Sequence, residues 1–121
     1  MQSFHIVAGK HVAWEGSDFK GVVSASINAA FYDVSCGIWP IDFDFIVPGL
    51  EFIATLQSTN HTKYGRQFSA RGDIKIVDSR YALNIAAMKK YLTPLLLKRL
   101  KVLVHKFGPS LFDLLDNIED I

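Results

Sequence analysis

The chain changes its hydrophobic period once, near residue 78. Before that point, apolar residues alternate with polar ones in short runs bounded by turn residues, which is typical of β-strands that bury one face. After it, apolar residues recur every three to four positions, the spacing of one face of an α-helix. Strands first and helices last is the order of an α+β fold. We therefore expect an antiparallel β-meander of about five to six strands (residues 4–77), with C-terminal helices packed on one sheet face.

Thr93 and Pro94 divide the helical stretch in two. Proline has no N–H to donate and fits best at the first position of a helix, while a threonine hydroxyl before it can cap the free backbone N–H groups. Gly108 and Pro109 indicate where the second helix ends, and Ser110 can cap a third. The predicted helices are 79–92, 94–107 and 110–119.

Each of the first two helices has an apolar side that we expect to bury against the sheet. In the second helix, a rotation of 100° per residue places four apolar residues on one line: Leu96, Leu100, Leu103 and Phe107. Leu97 and Val104 widen this apolar side. In the first helix the buried side is expected to hold Leu83, Ala86, Ala87, Met88 and Tyr91.

The strand pattern predicts two hairpins. Gly9-Lys10 separates residues 4–8 from 11–14 and is expected to form a tight two-residue turn. Pro48-Gly49 separates residues 38–47 from 50–58, and their alternation places Phe45 opposite Phe52. The second of these is the better specified, because both of its arms alternate.

Two further stretches complete the expected sheet. Residues 19–34 alternate without interruption and predict one long strand with a solvated face. Residues 66–70 and 73–77 form one strand or two, with Gly72 at a bulge or a turn.

Composition limits the class of protein. At 121 residues, half of them apolar, residues 1–121 have enough material for a single domain with a real core. The single cysteine, Cys36, excludes an internal disulfide and fits a reducing compartment. The first ten residues do not have the pattern of a signal peptide, and no apolar run is long enough for a transmembrane helix. The predicted location is therefore intracellular, in the cytoplasm.

Charge is distributed unevenly along the chain. The net charge is −2 over residues 1–78, +7 over 79–107 and −4 over 108–121. The basic block is either a solvated face neutralised by the acidic tail or a surface for an anionic membrane, a protein partner or, ranked last, nucleic acid. Its candidate anion- or membrane-facing residues are Lys89, Lys90, Lys98, Arg99, Lys101, His105 and Lys106.

No catalytic or metal-binding pattern stands out. The four histidines, His5, His11, His61 and His105, do not have the spacing of metal ligands. Asp42 and Asp44 are expected on one strand face about 7 Å apart, where solubilising an exposed face is a simpler role than acid–base work. Cys36 has no histidine near it in sequence. We therefore expect no enzymatic activity, no metal and no cofactor.

Two functions of different classes fit this pattern. The first is an interaction or assembly module that self-associates or binds another protein, and possible contact residues are Val22, Tyr32, Trp39 and Ile53. The alternative is a carrier that holds a lipid or another apolar ligand between the sheet and the helices. Nucleic-acid binding through the basic helix ranks below both.

Overall fold

The computed structural model describes residues 2–16, 19–63 and 65–113. Its fold is α+β, with a mixed sheet that closes into a small barrel and two helices. The strands are β1 (Gln2–Gly16), β2 (Phe19–Ile27), β3 (Ala30–Ser35), β4 (Glu51–His61) and β5 (Gly65–Ile76). The helices are α1 (Ser79–Tyr91) and α2 (Pro94–Phe107), and a single 3-10 turn (Phe43–Phe45) lies between β3 and β4.

The strands follow the order β1-β2-β3-β5-β4 around the barrel, and β4 pairs again with β1. All neighbours are antiparallel except β3 and β5, which run parallel and pair at Val34↔Phe68 and Ser35↔Ser69. The predicted antiparallel meander is therefore only partly right. The sheet closes with β5 inserted between β3 and β4, so that each of the five strands has two paired neighbours.

The predicted turn at Gly9-Lys10 is wrong. β1 runs through these residues as one strand, with a register shift between Ala8 and Ala13. Residues 2–7 pair with β4, while Val7, Ala8 and the part from Ala13 onward pair with β2. One long, irregular strand can thus pair with two neighbouring strands, because an extra residue at a bulge bends the strand and increases its twist.

The predicted single strand over residues 19–34 is two strands. β2 and β3 form a hairpin around Asn28 and Ala29, whose φ angles are 52° and 69°. Two positive φ angles match the turn that joins antiparallel strands most tightly. The inward-facing positions change from odd in β2 to even in β3 at this turn, so Phe31 lies on the outside of the barrel.

The predicted strand over residues 38–47 is also absent, and so is its pairing with residues 50–58. The chain instead forms the 3-10 turn, and Phe45, Ile46 and Val47 are all buried in succession. Three consecutive buried residues cannot belong to a strand with one solvated face. They fill the space between barrel and helices, and β4 pairs with β1 and β5 instead.

The last strand is a single one. β5 continues through Gly72, whose φ is 75°, and its register against β4 shifts between Arg71 and Lys75. Of the two possibilities that the sequence left open at Gly72, the structure has the bulge.

The first two predicted helices are confirmed to within one residue. The Thr93 hydroxyl accepts a hydrogen bond from the Leu96 N–H (3.3 Å), and Pro94 occupies the first helical position. The Asp78 carboxylate caps α1 in the same way, accepting from the Arg80 and Tyr81 N–H groups. Of the third predicted helix (110–119), Ser110 is in a turn, residues 111–113 are helical, and residues 114–119 lie outside the described residues.

The buried sides of the helices differ from the expected ones. α2 buries Leu100 and Val104, whereas Leu96, Leu103 and Phe107 remain 42 to 46 % exposed. α1 buries Tyr81 and Ile85, while the expected core residues Leu83 and Tyr91 are exposed. The helices pack against the compact 3-10 turn, which is smaller than a flat sheet, so a narrower stripe of each helix is covered. Barrel and helices share one contiguous core.

Candidate functional site

The basic helices are partly neutralised by the segment before β4. Lys89 on α1 forms an ion pair with Asp42, and Lys101 on α2 forms one with Asp44 at 2.8 Å. The His105 Nε2 donates to the Asp44 carbonyl oxygen at 2.9 Å. Three of the predicted anion-facing residues therefore bind the protein itself, and the two aspartates act as their partners.

The other four predicted residues of this surface are exposed. The Lys90 ammonium lies over the Tyr91 ring and that of Lys106 over the Phe107 ring, with centroid distances of 5.6 and 5.5 Å. Lys98 and Arg99 lie on the solvent side of α2. The basic charge that faces solvent is thus smaller than the sequence indicates.

The four residues expected to form an interaction surface do not all lie together, although Val22 and Tyr32 border two depressions on the outer face of the barrel. Val22 and Trp39 are buried, and the Trp39 ring packs edge-on against Phe52 at 5.5 Å. Tyr32 is half-buried against Phe68. Ile53 is 38 % exposed, but its strand neighbours, His5 and Lys75, are polar. These residues were expected to be exposed because apolar and polar residues were assumed to alternate without a break. The strands of the closed barrel do not follow this alternation throughout.

A groove crosses the outer face of the barrel instead. Strand register places one row of outward side chains side by side around four strands, in the order Trp14, Val22, Ser35 and Ser69. The Ser35 and Ser69 hydroxyls are 3.2 Å apart and share a hydrogen bond. The space above this row has a volume of about 420 Å³ and extends from Trp14 to Thr59 on β4. It is open to solvent and has both aromatic and polar walls.

A second depression continues this groove toward the start of β3. It has a volume of about 180 Å³ and lies between Phe31 and Arg66. Asp33 and Gln67 border both spaces. From Phe31 to Ser35 the path follows β3 for about 13 Å, so the two depressions form one elongated outer groove, which we call the barrel groove.

The barrel groove lies beside the short pairing of β3 with β5. Within the described residues these strands pair at two positions only, Val34↔Phe68 and Ser35↔Ser69, and not between Phe31 and Arg66. Backbone polar groups where the pairing ends are available for a ligand. A ligand lying there can therefore contact main chain and side chains together.

The charges around the barrel groove have both signs. Arg66 is exposed at the end formed by the smaller depression, which we call the narrow end. On β5, two residues beyond Ser69 of the larger depression, the Arg71 Nε donates to the Gln57 Oε1 at 2.8 Å. Asp33 is the acidic residue on its wall. Such a groove can bind an anionic backbone through arginine and accept hydrogen bonds from a ligand's amino groups through the aspartate.

The interior of the barrel offers little room for a ligand. Inward-facing side chains from four strands, Ile6, Val23, Val34, Phe52 and Leu56, are each 2 % exposed or less. Small barrels are commonly filled in this way. Among the described residues no group of three or more His, Cys, Asp or Glu is placed to hold a metal ion, and no helix there is both long and apolar enough to cross a membrane.

Sequence reasoning missed most of the residues that form the barrel groove, although Val22 and Tyr32, which it named as possible contact residues, border it. Trp14 and Arg66 were assigned to strands without a role, and Phe31 was assigned to the apolar side of one long strand. Asn28 carried a signal, because asparagine tolerates positive φ more readily than most residues. Ala29 beside it does not, so the turn that moves Phe31 outside was not predicted.

The comparisons with known proteins do not add to this geometry. No protein-family model matches the chain, and neither a curated protein nor a solved structure is significantly similar to it.

Proposed function

We propose that this chain is a binding domain for single-stranded nucleic acid and that the strand lies in the barrel groove. The groove carries the proposal, since it joins aromatic rings and exposed arginine on one face of a small barrel. Sequence-tolerant binding of single strands generally combines stacking on aromatic side chains with a positively charged path for the phosphates.

The topology of the barrel supports the same assignment. A five-stranded barrel in the order β1-β2-β3-β5-β4, with β3 and β5 parallel, is the arrangement of the oligonucleotide- and oligosaccharide-binding fold. In that fold the ligand lies across the outer face of strands 2 and 3, bordered by the β1–β2 and β4–β5 loops. The barrel groove lies on this face. Proteins with one fold bind many different ligands, so the choice of ligand depends on the chemistry of the groove residues.

The basic helix is a weaker candidate for this role. Lys89 and Lys101 are engaged by aspartates, and His105 bonds to a carbonyl. A charge that already has a partner loses that interaction when it binds phosphate, so its net contribution is smaller. Nucleic acid is thus the proposed ligand on the barrel rather than on the helix, contrary to its low rank in the sequence analysis.

Titration of a fluorescent oligothymidine tests the proposal. A strand of about 15 nucleotides suits the site size of one such barrel, and its anisotropy is measured at low and at physiological salt. We expect saturable binding that weakens with salt, because phosphate contacts release counterions. A duplex of the same length should bind more weakly. Absence of saturable binding at about 100 µM protein would overturn the proposal.

Two substitutions with opposite effects on the charge of the groove test where the nucleic acid binds. Arg66→Gln removes a cation from the groove and is expected to weaken binding and lower the logarithmic salt slope by about 0.7, the value for one phosphate on a single strand. Asp33→Asn removes the anion and is expected to strengthen binding of oligothymidine, because the carboxylate repels the phosphates. Lys98→Gln on α2 is the matched control and should change neither quantity. An effect of Lys98→Gln alone would place the nucleic acid on the helix.

Association with an anionic membrane surface is the second candidate function. The solvent side of α2 exposes large apolar side chains between cations, namely Leu95, Leu96, Val102, Leu103 and Phe107 beside Lys98, Arg99 and Lys106. A helix of this kind can lie in the headgroup region, where its basic residues meet acidic lipid.

Sedimentation with lipid vesicles tests this second function. Binding to phosphatidylcholine vesicles with about one third phosphatidylserine, and not to pure phosphatidylcholine, is the expected result. Val102→Glu should abolish it, since Val102 is 64 % exposed and the change leaves the core intact. Equal recovery of both proteins with both vesicles would contradict the membrane assignment.

Self-association and the binding of an apolar ligand have less support. Of the expected contact surface only Ile53 is exposed, and two copies of α2 would repel each other through their basic residues. The intact mass of the protein under native conditions, measured at two salt concentrations, tests both self-association and the binding of an apolar ligand. A salt-stable multiple of 13.6 kDa supports assembly, and a monomer with added mass supports a bound ligand.

A further inference from the structure

Phe31 has an unusual position for an aromatic residue of a strand. Its side chain is 67 % exposed on the outer face of the barrel, at the narrow end of the barrel groove. A fully apolar ring is usually buried, because covering its surface is favourable. The exposed ring therefore offers apolar area to a ligand at this point.

The ring lies over Gly9 of β1, in the same barrel sheet. A Cβ atom at Gly9 would lie 2.9 Å from Phe31 Cε1 and 3.1 Å from Cδ1. The first separation is shorter than real Cβ contacts and the second is tighter than most of them, so a side chain at this position would have to shift the ring. The absence of a side chain at Gly9 is what lets Phe31 lie across β1.

Backbone conformation does not explain this glycine. Gly49, Gly65, Gly72 and Gly108 are the described glycines with positive φ, and Gly9 is not among them. Alanine would fit the backbone there as well as glycine does. The space that the ring occupies is therefore the constraint on residue 9.

We propose that Phe31 stacks on an unpaired base of the bound strand and that Gly9 is a positioning residue that holds its ring in place. This inference rests on the proposed function and names the part of the ligand that the narrow end recognises. Every base has a π-face, so the contact accepts any sequence. It requires an unpaired base, because bases in a duplex are stacked on each other.

Two changes, one in the protein and one in the nucleic acid, distinguish base stacking by Phe31 from a merely structural role of this residue. Wild type and Phe31→Ala are titrated with the same oligothymidine and with a strand of equal length that carries abasic sites. We expect Phe31→Ala to lower affinity for oligothymidine about 5- to 150-fold, the range of one base–aromatic stack. Affinity for the abasic strand should stay within about twofold of wild type, and Phe31→Tyr should retain most of the oligothymidine affinity.

Gly9→Ala tests the positioning role without altering the ring itself. It is expected to reproduce the loss on oligothymidine and to spare the abasic strand. Gly37→Ala is the matched control, because a Cβ there has no atom within 4 Å and its φ is not positive. The melting temperature of each variant is measured to show that it is folded at the binding temperature.

The outcomes distinguish this inference from the function on which it rests. Equal losses on both strands would show that Phe31 acts through the fold or the backbone and would overturn the inference. Tight wild-type binding that Phe31→Ala does not change would overturn it too, while leaving the proposed function intact. If wild type binds neither strand, the proposed function fails and the inference with it.

Discussion

The Tyr81 hydroxyl links α1 to the segment that precedes β4. Tyr81 is 1 % exposed, and its hydroxyl donates to the Phe45 carbonyl oxygen at 2.5 Å. Its ring also packs against Phe112 at a centroid distance of 5.9 Å. One side chain thus joins three parts of the chain, and burial raises the pKa of its hydroxyl well above the ordinary value of 10.0.

Replacing this hydroxyl should lower stability at neutral pH. Tyr81→Phe leaves the buried Phe45 carbonyl without its donor, and we expect the free energy of unfolding to fall by about 1–3 kcal/mol. Urea denaturation at pH 7 measures it. Tyr91→Phe, at a residue that is 76 % exposed, is the control and should change the free energy little.

The same pair of variants predicts a pH dependence. Below pH 10 both the folded and the unfolded state hold the Tyr81 proton, so its contribution is fully present. Above pH 10 the unfolded chain releases the proton while the folded protein keeps it, so stability falls by up to about 1.4 kcal/mol per pH unit. The difference between wild type and Tyr81→Phe should therefore narrow between pH 9 and pH 11. A constant difference over this range would contradict the raised pKa.

At the scale of the elements, the start of α2 depends on one side chain. The Thr93 hydroxyl is the acceptor for the Leu96 N–H, which has no partner inside the helix. Thr93→Ala should lower the free energy of unfolding by about 1 kcal/mol, measured by urea denaturation. Thr93→Ser keeps the oxygen and should retain most of the stability. If both substitutions had the same effect, the methyl group rather than the cap would be responsible.

The ion pair between Lys101 and Asp44 joins α2 to the 3-10 turn, but we expect it to contribute little. Their side chains are 40 and 65 % exposed, so solvent screens the 2.8 Å contact. A double-mutant cycle with Lys101→Gln and Asp44→Asn should give a coupling of about 0–1 kcal/mol that diminishes in 1 M salt. A coupling well above this range, or one independent of salt, would indicate a buried pair.

At the scale of the whole molecule, Phe45 is central to a core that barrel and helices share. It is 2 % exposed, and its replacement by alanine should lower the free energy of unfolding by about 3–5 kcal/mol. Since the core is continuous, helix content and tryptophan fluorescence should be lost in one transition. Phe31→Ala makes the same chemical change on the surface and should cost much less. Two separate transitions would show that the helices unfold independently of the barrel.

The sequence predicted the helices well because their ends depend on neighbouring residues. Thr93 with Pro94 begins α2, and Gly108 ends it with a φ of 77°, all within one turn of the helix. Such local interactions can be recognised from spacing alone. The stretches that form β2, β4 and β5 were predicted to be strands for a similar reason, since the alternation of apolar and polar residues is a local property.

The candidate site was not predicted, because it depends on contacts between distant residues. Ser35 and Ser69 are 34 positions apart, and only the parallel pairing of β3 with β5 brings them together. Alternation specifies which residues share a face, but it does not specify the neighbouring strand. The basic surface was overestimated for the same reason, since Asp42 lies 47 positions from Lys89.

The amino-acid sequence by itself determined the α+β order, the bounds of two helices and the stretches that form strands. The tertiary structure decided that the sheet closes, that Phe45, Ile46 and Val47 are buried together, and that Phe31 faces outward over Gly9. The physical reason is the range of the interactions. Caps and alternation act over a few residues, whereas barrel closure balances loop entropy against packing across the whole chain.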